Sequence, residues 1–429
     1  MKKKYRIILY TSIFLLCVVA SIILVVKKSN SVYEEESKPK VVKHKSMLSM
    51  NLEQTAGAGD YKTVTQSKWP TEGYKFNAEL SRCENGSTLS WDDTKKAVIV
   101  SGNLSDKCYV YFDIYQPTLA EYIKSQYTGT QGENNIYYHD SDLANGAGDN
   151  SYRYAGANPN NFVCFGTTES PCPTDNLYRI IGVFGENYHG VTGKQLVKLI
   201  KYDYMTTDEL GTDGDYSQTY KEWGMDSTYK GTYGDGERIG VYYWNYKATG
   251  SATNTWSTSL LNKTNLNTNF INNIGTTWAN KIATVTWKVG GNTWANIGTK
   301  TSSVAYTNEI TNPVTTNTTD NATTYSAKIG LMYVSDYGFA ASPDAWTLTM
   351  SSYNNTTATN NNWMYMGLYE WTISRYADAP DIAFRVGSDG DVNLSYVSLD
   401  LGVRASFNLE SSVSYVSGSG SMSDPIVIN

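Results

Sequence analysis

The chain has 429 residues, of which 35 are Lys or Arg and 41 are Asp or Glu, and its formal net charge is −6 at pH 7. Residues 1–45 hold ten of the basic residues and only three of the acidic ones, so the remainder is acidic. This balance argues against nucleic acid as a partner, because that affinity comes mainly from neutralising phosphates. Few charged residues and many Tyr, Trp, Asn and Thr are typical of a β-rich exported protein.

An apolar run stands near the start of the chain. Residues Ile7–Val26 contain no charged side chain, and a helix with ~1.5 Å rise per residue would carry them across a ~30 Å hydrocarbon core. More basic residues precede the run than follow it, which predicts a cytoplasmic N-terminus. Residues 1–28 are therefore interpreted as a cytoplasmic tip and a transmembrane signal anchor. A cleaved signal peptide is the alternative, and it would export the same remainder.

Two segments follow the predicted anchor. Residues 29–68 show no sustained apolar period and predict a flexible stalk. Residues 69–115 alternate apolar side chains with turn signals such as Glu84-Asn85-Gly86, which predicts a small β module. The localisation that follows is a single-pass cell membrane protein with its C-terminal domain extracellular.

Four cysteines lie beyond the apolar run: Cys83, Cys108, Cys164 and Cys172. An even number in an exported chain predicts two disulfide bonds. Sequential pairing is one of three connectivities, favoured because each pair then stays within one unit. Free buried thiols are the alternative reading, and no histidine cluster supports a zinc site.

Residues 116–429 predict a larger α+β domain. Leu177–Phe184 and Gln195–Ile200 are apolar on both faces and predict central strands. Ile382–Tyr396 alternates around Ser388-Asp389-Gly390-Asp391 and predicts a hairpin. The remaining predictions are a short helix over 117–127, a weak helix over 256–274, a surface insertion over 299–326 and a strand over 329–334.

Four segments of this domain resemble a known family. They are Asn176–Phe184, Lys328–Asp336, Glu370–Arg375 and Gly402–Asn408, the last leading to Asp424-Pro425. They are similar to an uncharacterised family of bacterial, mostly Gram-positive, surface proteins classed as a domain of unknown function. The resemblance runs from about Trp69 to the C-terminus and implies no established activity. Relatives usually carry proline where this chain has Ala405, which bears on strand geometry.

That family is in turn similar to the C-type-lectin-like fold of formylglycine-generating enzymes and of variable receptor-binding proteins. The implied fold class is α+β and β-rich, with an N-terminal transmembrane helix, a small β module and a C-type-lectin-like domain. Formylglycine-generating enzymes depend on a reactive cysteine pair in the core. This chain has no cysteine after Cys172, which argues against that activity.

Catalytic and metal-binding patterns are sparse. His139 and His189 lie in loop-like sequence without a nucleophile motif, which predicts exposed structural histidines. A carboxylate pair for glycan hydrolysis stays open, because the sequence does not show which acids lie close together. The acidic turns Asp213–Asp215, Asp235–Glu237 and Asp389–Asp391 lack EF-hand spacing. They are read as ordinary turns, with Ca²⁺ as the weaker alternative and no cofactor expected.

Residues 353–396 are the predicted binding surface. Rings suited to stacking lie close to asparagines and one arginine, a mixture that suits a glycan or protein ligand. The candidate ligand-binding residues are Trp363, Tyr365, Tyr369, Arg375 and Tyr396. The alternative is that Trp363 and Trp371 pack the core beneath a polar loop.

The sequence therefore predicts an adhesin-like surface protein that binds an extracellular glycan or protein. One alternative is an enzyme acting on surface glycans or peptidoglycan, which would need two close carboxylates in a cleft. The other is a structural surface component, which would self-associate through an apolar patch.

Overall fold

The computed structural model describes residues 48–65, 68–71, 73–103, 105–223, 227–234, 236–246, 252–312 and 322–429. The chain divides into two compact units, unit 1 (residues 1–116) and unit 2 (residues 117–429). The described part of unit 1 begins at residue 48.

Strands form most of the regular structure in both units. The strands of unit 1 are β1 Leu48–Glu53, β2 Tyr61–Val64, β3 Tyr74–Cys83, β4 Thr88–Asp92, β5 Ala97–Ser101 and β6 Cys108–Ile114. Those of unit 2 are β7 Ile136–His139, β8 Ser151–Tyr154, β9 Phe162–Cys164, β10 Leu177–Phe184, β11 Leu196–Lys201, β12 Tyr216–Thr219, β13 Gly240–Tyr243, β14 Val285–Lys288, β15 Gly291–Asn292, β16 Thr324–Ala327, β17 Ile329–Gly330, β18 Glu370–Tyr376, β19 Ile382–Val386, β20 Val392–Tyr396, β21 Asp400–Gly402, β22 Ser406–Asn408, β23 Tyr415–Ser417 and β24 Val427–Ile428.

The helices within the described ranges are short, and all of them lie in unit 2. The α-helices are Leu119–Ser125, Glu186–His189, Thr207–Leu210, Ile271–Ala279, Ser302–Tyr306, Val334–Ala340 and Thr356–Asn360. Two segments are π-helical, Leu261–Phe270 and Thr307–Thr311. The 3₁₀ turns are Glu133–Asn135, Thr174–Asn176, Tyr220–Trp223, Trp256–Thr258, Trp294–Asn296, Pro343–Thr347 and Met350–Ser352.

Unit 1 is built on a four-stranded sheet in the order β2-β1-β6-β3, and β4 pairs with β5 in a separate hairpin. β1 runs parallel to β6, with Met50 opposite Val110. Both residues are fully buried, and Phe112 on β6 is 1% exposed. The Phe112 ring contacts three others at 5.7 to 5.9 Å between centroids, those of Trp69, Phe76 and Trp91. These contacts make a small aromatic core.

The start of unit 1 differs from the stalk predicted over residues 29–68. Residues 48–53 and 61–64 of that stretch are strands β1 and β2. Leu48, Met50 and Leu52 alternate on one face of β1 and are all buried. Three apolar residues at period two make a weak signal in a polar stretch, so the strand becomes evident only when its partner β6 is known.

Unit 2 contains two seven-stranded sheets. One has the order β17-β22-β11-β10-β8-β7, with β9 also paired to β10, and the other has the order β12-β13-β21-β18-β19-β20, with β15 also paired to β18. Every residue of β10 and of β11 is buried, which confirms the predicted central strands. The predicted hairpin is confirmed as β19 and β20, with Ile382 opposite Tyr396.

Three local predictions are changed by tertiary packing. The predicted strand over 329–334 is a strand only at Ile329–Gly330, and a helix begins at Val334. In place of the predicted helix over 256–274, the structure has two joined helical segments between residues 261 and 279. Gly275, with φ of 74°, interrupts the second segment. A surface insertion was predicted over 299–326, but Ala305 in this stretch is buried in the core. Residues 313–321 lie outside the described part.

Buried ion pairs connect the layers of unit 2. Lys198 and Asp336 are fully buried, with 2.7 Å between the Lys198 Nζ and Asp336 Oδ2 atoms. The guanidinium of Arg404 binds Glu370 at 2.8 Å, and both side chains are at most 2% exposed. Because an unpaired buried charge costs several kcal/mol, each pair restricts the packing of the two segments that carry it.

Two disulfide bonds are present, Cys83–Cys108 and Cys164–Cys172. The predicted sequential pairing is therefore confirmed. Cys83 on β3 lies opposite Cys108 on β6, so the first bond joins two paired strands of unit 1. Disulfides of this kind indicate an extracellular or other oxidising environment.

The predictions concerning a membrane span are corrected. Residues 1–28, the predicted anchor, lie outside the described residues, as does the predicted stalk before residue 48. Within the part of the chain that the structure describes, no helix has the length and apolar character needed to cross a bilayer. The described residues are therefore β-rich and contain no transmembrane helix, and the structure does not support a single-pass membrane localisation.

Candidate ligand-binding site

Two of the predicted binding residues lie in the core of unit 2. Trp363 is 3% exposed, its Nε1 atom donates to the Tyr154 carbonyl at 2.8 Å, and the Arg179 guanidinium lies 4.7 Å from the centre of its ring. Tyr365 is 6% exposed and donates to the Ser388 carbonyl at 2.5 Å. These rings are engaged within the protein, as the core-packing alternative describes.

The other three predicted residues range from buried to exposed. Tyr369 is half-buried beneath the Arg385 guanidinium, 4.6 Å from its ring centre. Tyr396 is 56% exposed at the end of β20, and Arg375 is 1% exposed near the end of β18. Trp363 and Arg375 therefore present little surface to a ligand, whereas Tyr396 is accessible.

A cavity with a volume of about 210 Å³ lies elsewhere in unit 2. Its lining residues come from four separated stretches of chain and are Tyr122, Gln126, Asn134, Asn135, Ile136, Tyr154, Asn160 and Ser419. All eight carry uncharged side chains, and seven of them offer an amide or a hydroxyl group. We call this set the amide pocket.

A short capped helix supplies one wall of the amide pocket. The helix Leu119–Ser125 begins at Thr118, whose hydroxyl accepts from the Glu121 backbone N–H at 3.2 Å. The Glu121 carboxylate in turn accepts from the Thr118 backbone N–H at 2.9 Å, which completes a capping box. Leu119 and Ile123 bury the inner face of the helix, and this leaves Tyr122 on the pocket side.

The opposite wall is a turn in left-handed conformation. Asn134 and Asn135 both have φ of 58°, and Gly132 before them has φ of 82°. Asparagine tolerates this region better than most residues, yet two in succession are uncommon. The Asn134 side chain is held by donation to the Gln126 carbonyl at 2.9 Å. Left-handed residues outside glycine often occur where a loop has been shaped for binding.

Two amide groups of the pocket are available for a ligand. Within the described residues, the side chains of Asn135 and Asn160 make no hydrogen bond, and Asn160 is exposed. Gly156 adjoins Asn135, because a Cβ atom there would lie 3.2 Å from the Asn135 Nδ2 atom. Each free amide offers both a donor and an acceptor, which matches the hydroxyl groups of a sugar.

An aromatic pair borders the same pocket. Tyr122 stacks on Tyr415 with 3.7 Å between ring centres and 6° between ring planes. Burial, together with the interaction with Tyr415, raises the pKa of Tyr122 to about 12. The Tyr122 hydroxyl is therefore neutral at physiological pH and can donate or accept a hydrogen bond.

The residues that line the amide pocket include no carboxyl group, amine or imidazole. Glycoside hydrolysis uses two carboxyl groups about 5 to 10 Å apart across the bond to be cut, and no lining residue is acidic. Burial raises the pKa of Glu309, but this carboxylate accepts the backbone N–H groups of Val334 and Ser335 in the core. Glu309 therefore caps a buried helix, and its raised pKa does not mark a catalytic group.

The acidic turns show no metal cluster. Asp391 binds Arg385 at 2.8 Å, and Asp215 accepts the backbone N–H groups of Tyr246 and Leu261. No group of three or more side chains in the described ranges is arranged to hold a metal ion. The residue Asp235 of the third turn lies outside those ranges.

Sequence reasoning did not find the amide pocket. It had placed Tyr122 on a predicted helix, but Asn135, Asn160 and Ser419 lie in stretches read only as loops or turns. The one local signal is the Asn134-Asn135 pair after a glycine, a sequence that favours left-handed backbone. The pocket could not have been assembled from such a signal alone.

In comparisons with known proteins, no family model, no curated protein and no solved structure matches the chain. The resemblance to a bacterial surface family and to the C-type-lectin-like fold stays a prediction.

Proposed function

We propose that the protein is a non-catalytic binding protein that recognises a neutral glycan in an extracellular or other oxidising environment. The observation that carries the proposal is the lining of the amide pocket, which combines uncharged hydrogen-bonding groups with a tyrosine ring and contains no acid or base. Sugars present hydroxyl groups and apolar ring faces, and this lining complements both.

The proposal favours binding over the enzymatic alternative for a physical reason. An enzyme acting on glycans or peptidoglycan would need a group that moves a proton or attacks carbon, and the lining offers no carboxyl group or imidazole for this step. Its two tyrosines are neutral, because burial raises the pKa of both Tyr122 and Tyr154. Without a ligand, the amides of Asn135 and Asn160 hydrogen-bond to water. A sugar can replace that water with its hydroxyl groups.

A glycan array probed with the full chain tests the proposal, and an Asn160→Ala variant locates the site. Loss of one pocket amide is expected to weaken binding roughly 3- to 10-fold, the usual net effect of one hydrogen bond. Asn158→Ala is the matched control, because Asn158 is an exposed asparagine two residues away that does not line the pocket. Equal loss in both variants, or no binding to any glycan, would reject the proposal.

A further inference from the structure

Arg375 is a buried cation whose end groups lack partners. It lies on β18 with 1% of its surface exposed, and its Nε atom donates to the Val289 carbonyl at 3.0 Å. Its Nη1 and Nη2 atoms have no hydrogen-bond partner among the described residues. Burial lowers the pKa of Arg375, but an arginine keeps its charge at neutral pH.

Other buried basic side chains of unit 2 are compensated. The Arg153 guanidinium binds Asp149 at 2.8 Å, Lys198 binds Asp336, and Arg404 binds Glu370. Arg179 lies near no carboxylate in these contacts, yet its Nε, Nη1 and Nη2 atoms each donate to a neutral oxygen. Arg375 thus differs from these residues in combining two features, since it has no carboxylate partner and neither of its terminal nitrogens has a hydrogen-bond partner among the described residues.

A second unpaired donor lines the same pocket as Arg375. Trp256 is 2% exposed, and its Nε1 atom also lacks a partner in the described part of the chain. The other lining residues are Thr255, Ser257, Val289, Ala322, Thr324 and Tyr325, none of which is acidic. Three N–H donor atoms, two from Arg375 and one from Trp256, therefore border one small space.

The space is small, and a glycine leaves room for the guanidinium that borders it. Its volume is about 10 Å³, close to what a single water-sized atom occupies. Gly291 on β15 lies opposite Arg375, and a Cβ atom at Gly291 would come 2.8 Å from the Arg375 Nη1 atom. A side chain at Gly291 would therefore push the guanidinium out of its position.

We propose that the pocket between Arg375 and Trp256 binds a small monovalent anion. A water molecule could accept the N–H groups but would leave the buried charge uncompensated, whereas an anion satisfies both. The acceptor is either a free halide ion or one oxygen of a carboxylate group on a larger ligand. The site is distinct from the amide pocket, with which it shares no lining residue.

Thermal unfolding of the full chain in sodium salts at equal ionic strength tests the proposal. At millimolar concentrations, where the general stabilising effect of sulfate is small, chloride and bromide should raise the unfolding temperature relative to sulfate, which is too large for the pocket. Acetate distinguishes the two sources: stabilisation by acetate as well as chloride indicates a carboxylate site, and stabilisation by halides alone indicates a halide site. An unfolding temperature that depends only on ionic strength overturns the proposal.

A pair of tryptophan variants assigns the effect to this pocket. Trp256→Phe keeps most of the ring but removes one donor, and should weaken the halide affinity derived from the unfolding series roughly 3- to 10-fold. Trp244→Phe is the matched control, because the buried Trp244 Nε1 atom donates to the Thr372 carbonyl at 2.9 Å, outside the pocket. Bromide bound at Arg375 in anomalous diffraction would agree with the proposal, and a water there in bromide-soaked crystals would contradict it.

Discussion

The imidazole of His139 is buried in unit 2 with no exposed surface, and not at the surface as its loop-like sequence predicted. Its Nδ1 atom accepts the Ala147 backbone N–H at 3.0 Å, so the ring is neutral in the folded state. Desolvation lowers the pKa of His139 well below its ordinary value of 6.5. Protonation would break this hydrogen bond and place a charge in the interior.

The stability of the protein should therefore fall as the pH drops below 6.5. In that range the unfolded chain binds a proton at His139 that the folded chain excludes, so the free energy of unfolding decreases by up to about 1.4 kcal/mol per pH unit for this group. Urea unfolding between pH 5 and pH 7.5 measures the slope. His139→Gln should flatten it by one proton's contribution, and an unchanged slope would show that His139 is not responsible.

At the scale of one element, the capping box at Thr118 supports the helix that carries Tyr122. Thr118→Ala removes the hydroxyl that accepts the Glu121 N–H and should lower the free energy of unfolding by about 1 kcal/mol. Chemical denaturation measures the change. Ser125→Ala in the same helix is the control, since its exposed hydroxyl donates only to the Tyr122 carbonyl and should alter stability little. A loss in both variants alike would argue against a capping effect.

The elements differ in how far the sequence predicts them. β10 is buried on both faces, so its continuous apolar run is sufficient to identify it with the correct bounds, Leu177–Phe184. The segment from Val334 to Ala340 is also buried at every residue, yet it is helical, because a short buried run carries no period that separates helix from strand. Trp363 was ambiguous for a related reason, since a tryptophan can pack a core or bind a ligand, and its neighbours decide which.

At the scale of the molecule, each unit has its own disulfide, and the two bonds should contribute differently. The Cys83–Cys108 bond closes 25 residues and should stabilise unit 1 by roughly 3.5 kcal/mol, whereas Cys164–Cys172 closes 8 residues and should contribute roughly 2.5 kcal/mol to unit 2. Calorimetry of paired Cys→Ser variants measures both. A larger loss from the shorter loop would show that chain entropy does not dominate these bonds.

The amide pocket belongs to this scale as well, which explains why the sequence did not reveal it. Tyr122 and Ser419 are almost 300 residues apart, and they line one cavity only because unit 2 brings its first helix beside a late turn. By contrast, the disulfides were predicted from the even number of cysteines in an exported chain, and the sequential pairing was favoured because it keeps each pair within one unit. Sites made of common polar residues from distant segments leave no such local pattern.

The position of β22 has a consequence for how the protein is made. Ser406–Asn408 pairs with both β11 and β17, and Phe407 is fully buried between them. The pairing of β11 on this side is therefore completed by a segment that is synthesised more than 200 residues later. Such long-range pairing is slow to form, and until it does the apolar edges of β11 and β17 stay exposed to other chains. A premature stop before Ser406 would thus produce a chain that aggregates, whatever the intrinsic quality of the strands already made.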